Sequence, residues 1–325
     1  MNLLRVVIDG EENPKYCITN SFKNKFNEVD TIWWEQYQGN LPYLNSIITD
    51  YLASGKYDAV FMQIQRDGIV WPDTLKPFSE KIPIFNWTGD VRENINNYIS
   101  LKDQVITLFS NSTDVRKMLQ IGGKSDFLQT GYDYNYYYVE NLHRFNTITF
   151  IGNHYHNHNF QNKDFRANVL SELFNNYAEN TKVYGQGWEF LGRGIRPTTD
   201  KNEEYMAYNT SLLALNVPHF EYDDYYSDRL LRSMACGCCV LSKKYNGYDK
   251  EFTNLNNIVV WETISELKEL VWYYINNREL ALQIGLNASK YVLEKCTWDN
   301  RVDEFISLIN KYKKNEFNAI SGIAV

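Results

Sequence analysis

At 325 residues the chain is too long for one small core and suggests two domains at roughly 100–200 residues each. With 44% hydrophobic and 22% charged residues it can bury proper cores, which excludes disorder as a general account. The formal charge of −7 is spread over both halves, which excludes a half built as a basic nucleic-acid platform.

No apolar run approaches the roughly 18 residues of a membrane span, and Asp9, Glu11 and Glu12 interrupt the start before any signal-peptide core can form. A cytoplasmic location is therefore expected. Five cysteines, three of them bunched as Cys236, Cys238 and Cys239, are an odd total that suits a reducing cytosol, so free thiols are expected rather than disulfides or zinc.

In chain order, short apolar runs rich in β-formers alternate with stretches of helical period, the pattern of a parallel sheet wrapped by helices. Leu3–Ile8 is a continuous buried strand ending in Asp9 and Gly10, and further strands are predicted at Tyr57–Ile64, Ile82–Asn86 and Val105–Ser110. Leu44–Ala53 and Ser112–Leu119 supply helices between them, the second with Ser112 or Thr113 as its N-cap. The glycine turn Gly122-Gly123, then Gly131-Tyr132-Asp133, closes this unit, and the aromatic run Tyr134–Tyr138 with the polar residues after it reads as a linker.

A second unit restarts at Thr147–Ile151 with Gly152-Asn153 directly after the strand, where a Rossmann-like half places its first ligand loop. A helix over 164–178, strand Thr181–Tyr184, a helix over 203–209 and strand Leu212–Val217 follow. Helix Ser227–Ala235, strands Cys239–Ser242 and Ile258–Trp261, and helices over 264–276, 278–294 and 299–313 complete the chain. Two such units with an active-site cleft between them is the expected architecture.

There is no G-x-G-x-x-G and no Walker A lysine. What the second unit carries is an ordered series: Gly152 after its strand, Val183-Tyr184-Gly185-Gln186-Gly187-Trp188, Leu213–Val217, Ser227–Gly237 (SDRLLRSMACG) and Asn246–Phe252. This series resembles the donor domain of GT-B glycosyltransferases, in particular the spore-maturation-type group of the family-4-like clan. That group shows F-x-G, Y-G-x-G-W, L-N and S-x-R-x-F-E-x-x-A-x-G in the same order. Gly131-Tyr132-Asp133 is similar to its G-x-D at the domain junction.

The resemblance implies an α/β, GT-B fold of two Rossmann-like, doubly wound domains facing a cleft: an acceptor-side domain over 1–140, a nucleotide-sugar donor domain over 147–300, and a terminal helix over 301–325 packing back towards the first domain. It implies a glycosyltransferase that moves a sugar, with retention, from a nucleotide-diphosphate donor to an acceptor hydroxyl. No cofactor beyond the nucleotide sugar is implied and no metal, since GT-B enzymes offset the diphosphate with protein charges. The Asp-x-Asp that holds a cation in GT-A enzymes does not occur here.

Gly152, Asn153 and His154 are candidate donor contacts in the loop after the strand, where glycine permits close backbone approach and loop amides face an anion. Gly185, Gly187 and Asn216 join them by position, as does Ser227 at a helix start. Arg229 and Arg232 fall one turn apart on the 227–235 helix, so both are expected to face one side and supply charge to the leaving diphosphate. Family members carry Glu where this chain has Arg232, and that Glu holds the donor ribose. Reversal from acceptor to donor leaves three alternatives: ribose reading has moved, Arg232 grips phosphate, or the member is catalytically silent. The loop His154-Tyr155-His156-Asn157-His158 invites a metal reading, but alternating His without a nearby Cys is no preformed tetrahedral site.

On the acceptor side, Phe85–Arg92 follows a strand and resembles the family's W-x-x-D. Asp90 is a candidate to orient or deprotonate an acceptor hydroxyl, or else an N-cap; Asp9 is a second catalytic candidate, or a turn residue. The acceptor is expected to be a carbohydrate, a protein or hydroxymethylated DNA. For DNA, Lys290, Lys295, Arg301, Lys311, Lys313 and Lys314 would have to supply a local basic face.

Overall fold

In this computed structural model the described residues are 1–8, 18–158, 160–192, 195–196 and 201–321, with side chains described except at 195, 196, 201 and 314–321. The chain divides into two units, Met1–Gly131 with Trp298–Val325, and Tyr132–Thr297. The division therefore falls at Tyr132 rather than in the 141–146 segment.

The first unit contains strands β1 (Asn2–Val7), β2 (Glu28–Trp33), β3 (Ala59–Met62), β4 (Ile84–Thr88), β5 (Ile106–Phe109) and β6 (Lys124–Phe127). Helices α1 (Thr19–Lys25), α2 (Leu41–Ala53), α3 (Pro72–Leu75), α4 (Asn96–Ile99) and α5 (Ser112–Gln120) lie between them. All pairings are parallel, in the order β2-β1-β3-β4-β5-β6. Because helices cover both faces of a parallel sheet, its strands are apolar on both: Leu4, Val6, Val60 and Met62 feed one core, Leu3, Val7, Ala59 and Phe61 the other. The cap of α5 is Asn111, whose Oδ1 accepts from Asp114 N at 2.7 Å, not Ser112 or Thr113. Asn caps well because its short side chain reaches the third helical amide from an extended backbone.

The second unit contains β7 (Phe145–Ile151), β8 (Thr181–Tyr184), β9 (Ile195–Arg196), β10 (Ser211–Asn216), β11 (Cys239–Lys243) and β12 (Val259–Trp261). With them go α6 (Lys163–Tyr177), α7 (Lys201–Asn209), α8 (Asp228–Ala235), α9 (Ile264–Asn276) and α10 (Arg278–Lys295). Its parallel order, β12-β11-β10-β7-β8-β9, is the doubly wound arrangement, and it reverses direction between β7 and β10. In such sheets ligands sit at the carboxyl ends of the strands at that reversal.

The last helix, α11 (Trp298–Ser321), belongs to the first unit. Trp298, Val302, Phe305 and Ile309, spaced by three and four residues, put one stripe into its core. Phe305 meets Phe22, Phe61 and Phe85 edge-on with ring centroids 5.0–5.8 Å apart.

The aromatic run read as a linker is partly core: Tyr132 and Tyr137 are buried in the second unit, Tyr137 completely. Asn209 ties that stretch down, its Oδ1 accepting from Glu140 N at 2.8 Å and its Nδ2 donating to Tyr138 O at 3.0 Å. Among the described residues no helix is long and apolar enough to cross a membrane. Cys236, Cys238, Cys239 and Cys296 are buried free thiols, and Cys17 lies outside the described residues.

Candidate functional site

The loops leaving β7 and β8 are stitched together beyond the end of the sheet. Gly152 N donates to Tyr184 O and His154 N to Gln186 O, both at 2.8 Å, while Asn153 Oδ1 accepts from Gln186 N at 2.9 Å. Trp188 Nε1 closes the set by donating to Gly152 O at 2.6 Å. The approach is too close for side chains. A Cβ on Gly185 would stand 2.3 Å from Gly152 O, and one on Gly187 2.2 Å from His154 O, both at positive φ.

This stitched platform meets Arg166 on α6. Arg166, Val169, Leu170, Leu173 and Phe174 form the buried stripe of that helix, so the arginine is carried inward by an apolar face. Its guanidinium lies over Phe150 at 5.1 Å and Trp188 at 5.8 Å. Nη1 donates to Asn153 O at 3.3 Å and lies against the His219 ring, within reach of both ring nitrogens. His219 is set in place by Asn162, whose N donates to His219 O at 2.9 Å and whose Nδ2 donates to Pro218 O at 3.1 Å.

Arg166, Asn216, Ser227 and Arg229 line one recess at the β7/β10 reversal, with Tyr208 and Ser233. Ser227 begins α8, and its side chain makes no cap hydrogen bond. Arg229 makes no hydrogen bond or ion pair among the described residues, and the neighbouring carboxylate, Asp228, is engaged by Arg232.

The electrostatics follow first from burial. Burial, then repulsion from Arg229, lowers the Arg166 pKa to about 9, so it remains a cation at neutral pH. Burial also opposes the charge on Arg229, but Asp228, Tyr208 and Tyr225 more than offset it and hold its pKa above the ordinary value. Burial, then Arg166, Arg229 and His154, lowers His219 to about 2, leaving the imidazole neutral. The recess thus presents cationic donors, hydroxyls and the N-terminal end of an eight-residue helix, a set suited to an anion.

The structure brings Asn216, Ser227 and Arg229 to this recess but not Arg232. Arg232 is only 3% exposed, pairs with the fully buried Glu204 at 3.3 Å and with Asp228, and lies over the Tyr137 ring. Positions three apart on a helix diverge by about 60°, and on α8, whose last six residues are all buried, that is enough to send Arg232 towards α7. Gly152, Asn153, Gly185 and Gly187 build the platform behind the recess rather than lining it. His154 packs against Trp188 and His156, with ring centroids at 4.7 and 4.4 Å, and does not line the recess either. Among the described residues no group of three metal-ligating side chains forms.

In the first unit Asp90 follows β4. It caps no helix, α4 starting only at Asn96; its carboxylate is 70% exposed, 3.8 Å from Arg92. Asp9 lies outside the described residues. Several of the terminal basic residues are paired with carboxylates. Arg301 is buried on Thr130 O and Glu304, Lys311 pairs with Asp126, Lys313 with Asp58 and Lys295 with Glu294. The Lys314 side chain lies outside those described.

Arg166 and His219 escaped the sequence reading. A signal was available for the first: an arginine at the head of the i, i+3, i+4, i+7 stripe of an amphipathic helix is a charge placed where an apolar residue belongs.

Comparison with solved structures identifies the fold. The Rickettsia africae glycosyltransferase superposes with a TM-score of 0.68 at 11% identity, covering 97% of this chain and 99% of that one. HepE of Anabaena, solved with UDP-glucose, gives 0.65 at 10% identity, covering 96% and 100%. Sucrose-phosphate synthase of Thermosynechococcus elongatus gives 0.65 at 10%, covering 97% and 100%. The fold is that of the GT-B glycosyltransferases. A search of curated proteins returned no match. Residues 163–307 match the family model described as Glycosyl transferase-like, so this stretch, most of the second unit and the start of α11, is similar in sequence to that family.

Proposed function

We propose that the protein moves a sugar from a nucleoside-diphosphate donor to an acceptor hydroxyl, with the donor's diphosphate held by Arg166 and Arg229. The observation that carries this reading is the placement of two guanidiniums, neither bonded to a carboxylate, at the strand reversal where doubly wound sheets take ligands. HepE, of similar fold, was solved with UDP-glucose, which favours a UDP-sugar as first candidate.

In the reaction the bond from the anomeric carbon to the diphosphate oxygen breaks, the electron pair leaving with the phosphate, and the acceptor oxygen bonds to that carbon. Negative charge grows on the departing diphosphate, and fixed guanidiniums in a desolvated recess stabilise it without reorganising. The acceptor's proton passes to the leaving phosphate. The resemblance to the family-4-like clan supports retention, and no metal is invoked because the arginines supply the countercharge.

A panel of UDP-, GDP-, dTDP- and ADP-sugars tests this by thermal shift and by nucleotide release with sugar, protein and hydroxymethylated-DNA acceptors. One donor at a hundredfold over its Kd adds about 2.7 kcal/mol of stability. Arg229→Ala should abolish that shift while leaving the unliganded melting point nearly unchanged. Absence of any donor shift sinks the reading; binding without release under every acceptor condition identifies a glycosyltransferase-like binding protein.

A further inference from the structure

Arg166 is buried to 2% exposure, and buried arginines ordinarily find a carboxylate. Here every partner is neutral: the Asn153 carbonyl, the faces of Phe150 and Trp188, and the His219 ring. His219 itself arrives by construction. The segment after β10 is pinned to the start of α6 by the two Asn162 hydrogen bonds, and the ring is walled in by Tyr155 at 5.4 Å and Phe160 at 4.8 Å. Such a built contact places an acceptor against the most buried cation of the recess and gives it no negative charge.

We propose that His219 is a positioning residue for the donor site: by accepting from Arg166 Nη1 as a neutral imidazole, it aims the guanidinium at the recess while leaving its charge for the donor's diphosphate. The inference rests on the donor reading above. A carboxylate at this position would hold the arginine equally well and neutralise it, so what matters is acceptor capacity without charge. Amide side chains share that property with imidazole, whereas Glu and Asp do not.

His219→Gln and His219→Glu separate the two properties. Binding of UDP and of inorganic pyrophosphate to the full chain is followed by calorimetry, beside the melting temperature without ligand. The expected result is that His219→Gln binds both probes within a few-fold of wild type. His219→Glu should lose about tenfold or more in affinity, the scale of a charge-assisted contact, while melting no lower than His219→Gln because the new carboxylate pairs with Arg166. That opposition of binding and stability is not produced by a purely structural role. Equal affinities in His219→Glu and wild type overturn the proposal and leave the donor reading standing. So does a His219→Glu melting point below that of His219→Gln, or a failure of both variants to fold. If wild type binds neither probe, the donor reading fails and the proposal with it.

Discussion

Arg229 and Arg232 stand three positions apart on α8 and do opposite work. One lines the recess with no hydrogen bond or ion pair among the described residues, the other is spent on Glu204 and Asp228 in the interior. Arg232, where the resembled group has Glu, is thus matched by two carboxylates, which the α8 sequence alone does not reveal because Glu204 belongs to α7. Arg232→Glu would leave three carboxylates together. We expect it to cost at least about 3–5 kcal/mol, the scale of breaking a buried pair, read as a lowered urea midpoint; an unchanged midpoint would contradict the buried-pair account. His219 gives a second test. It faces Arg166, Arg229, His154 and the Tyr155 ring, and its folded pKa of about 2 lies below the ordinary 6.5. The unfolded chain therefore binds the extra proton as pH falls below 6.5, so stability is complete above that value and declines beneath it by up to about 1.4 kcal/mol per pH unit. His219→Gln should flatten the stability profile between pH 6.5 and 5, and an unaltered slope there would rule the effect out.

Elements were legible where burial wrote a plain pattern. The continuous apolar runs of β1, β5, β10 and β11 announced themselves because parallel strands are covered on both faces. β2 did not, since Glu28-Val29-Asp30-Thr31 is an edge segment of exposed and half-buried residues, and edge strands carry little hydrophobic signal. The Tyr134–Tyr138 run misled in the other direction: polar neighbours suggested a linker, but Tyr137 is drawn under Arg232 by tertiary packing. Of the site, the positions on strand ends and the start of α8 were readable from order alone. Arg166 and His219 were not assembled from the sequence, because 53 residues separate two groups that touch. On α11, Phe305 is 1% exposed among three other phenylalanine rings. Phe305→Ala should cost about 3–5 kcal/mol through lost burial and an unfilled cavity; a calorimetric loss below about 1 kcal/mol would mean that the stripe does not seal this core.

At the scale of the molecule, the two units have separate cores, and each sheet reverses strand order once. Unit boundaries follow contacts rather than chain order: Trp298, Val302, Phe305 and Ile309 complete a core begun by Leu3, Val7 and Phe22. Ending the chain at Thr297 should therefore unfold the first unit selectively. Calorimetry of that variant is expected to lose part of the full-length heat absorption while the Tyr132–Thr297 unit still melts cooperatively; a scan superimposable on full length would refute the assignment of α11.

The ends of the second unit meet, Tyr132 forming a parallel bridge with Thr297 and donating to Cys296 O at 3.3 Å. That unit is in effect a closed insertion within the first. During synthesis every residue of the inserted unit is added before α11, so the usual N-terminal-first order of assembly cannot complete the first unit before the second. Until its final helix emerges, the nascent first unit keeps Phe22, Phe61 and Phe85 without the cover that Phe305 gives them.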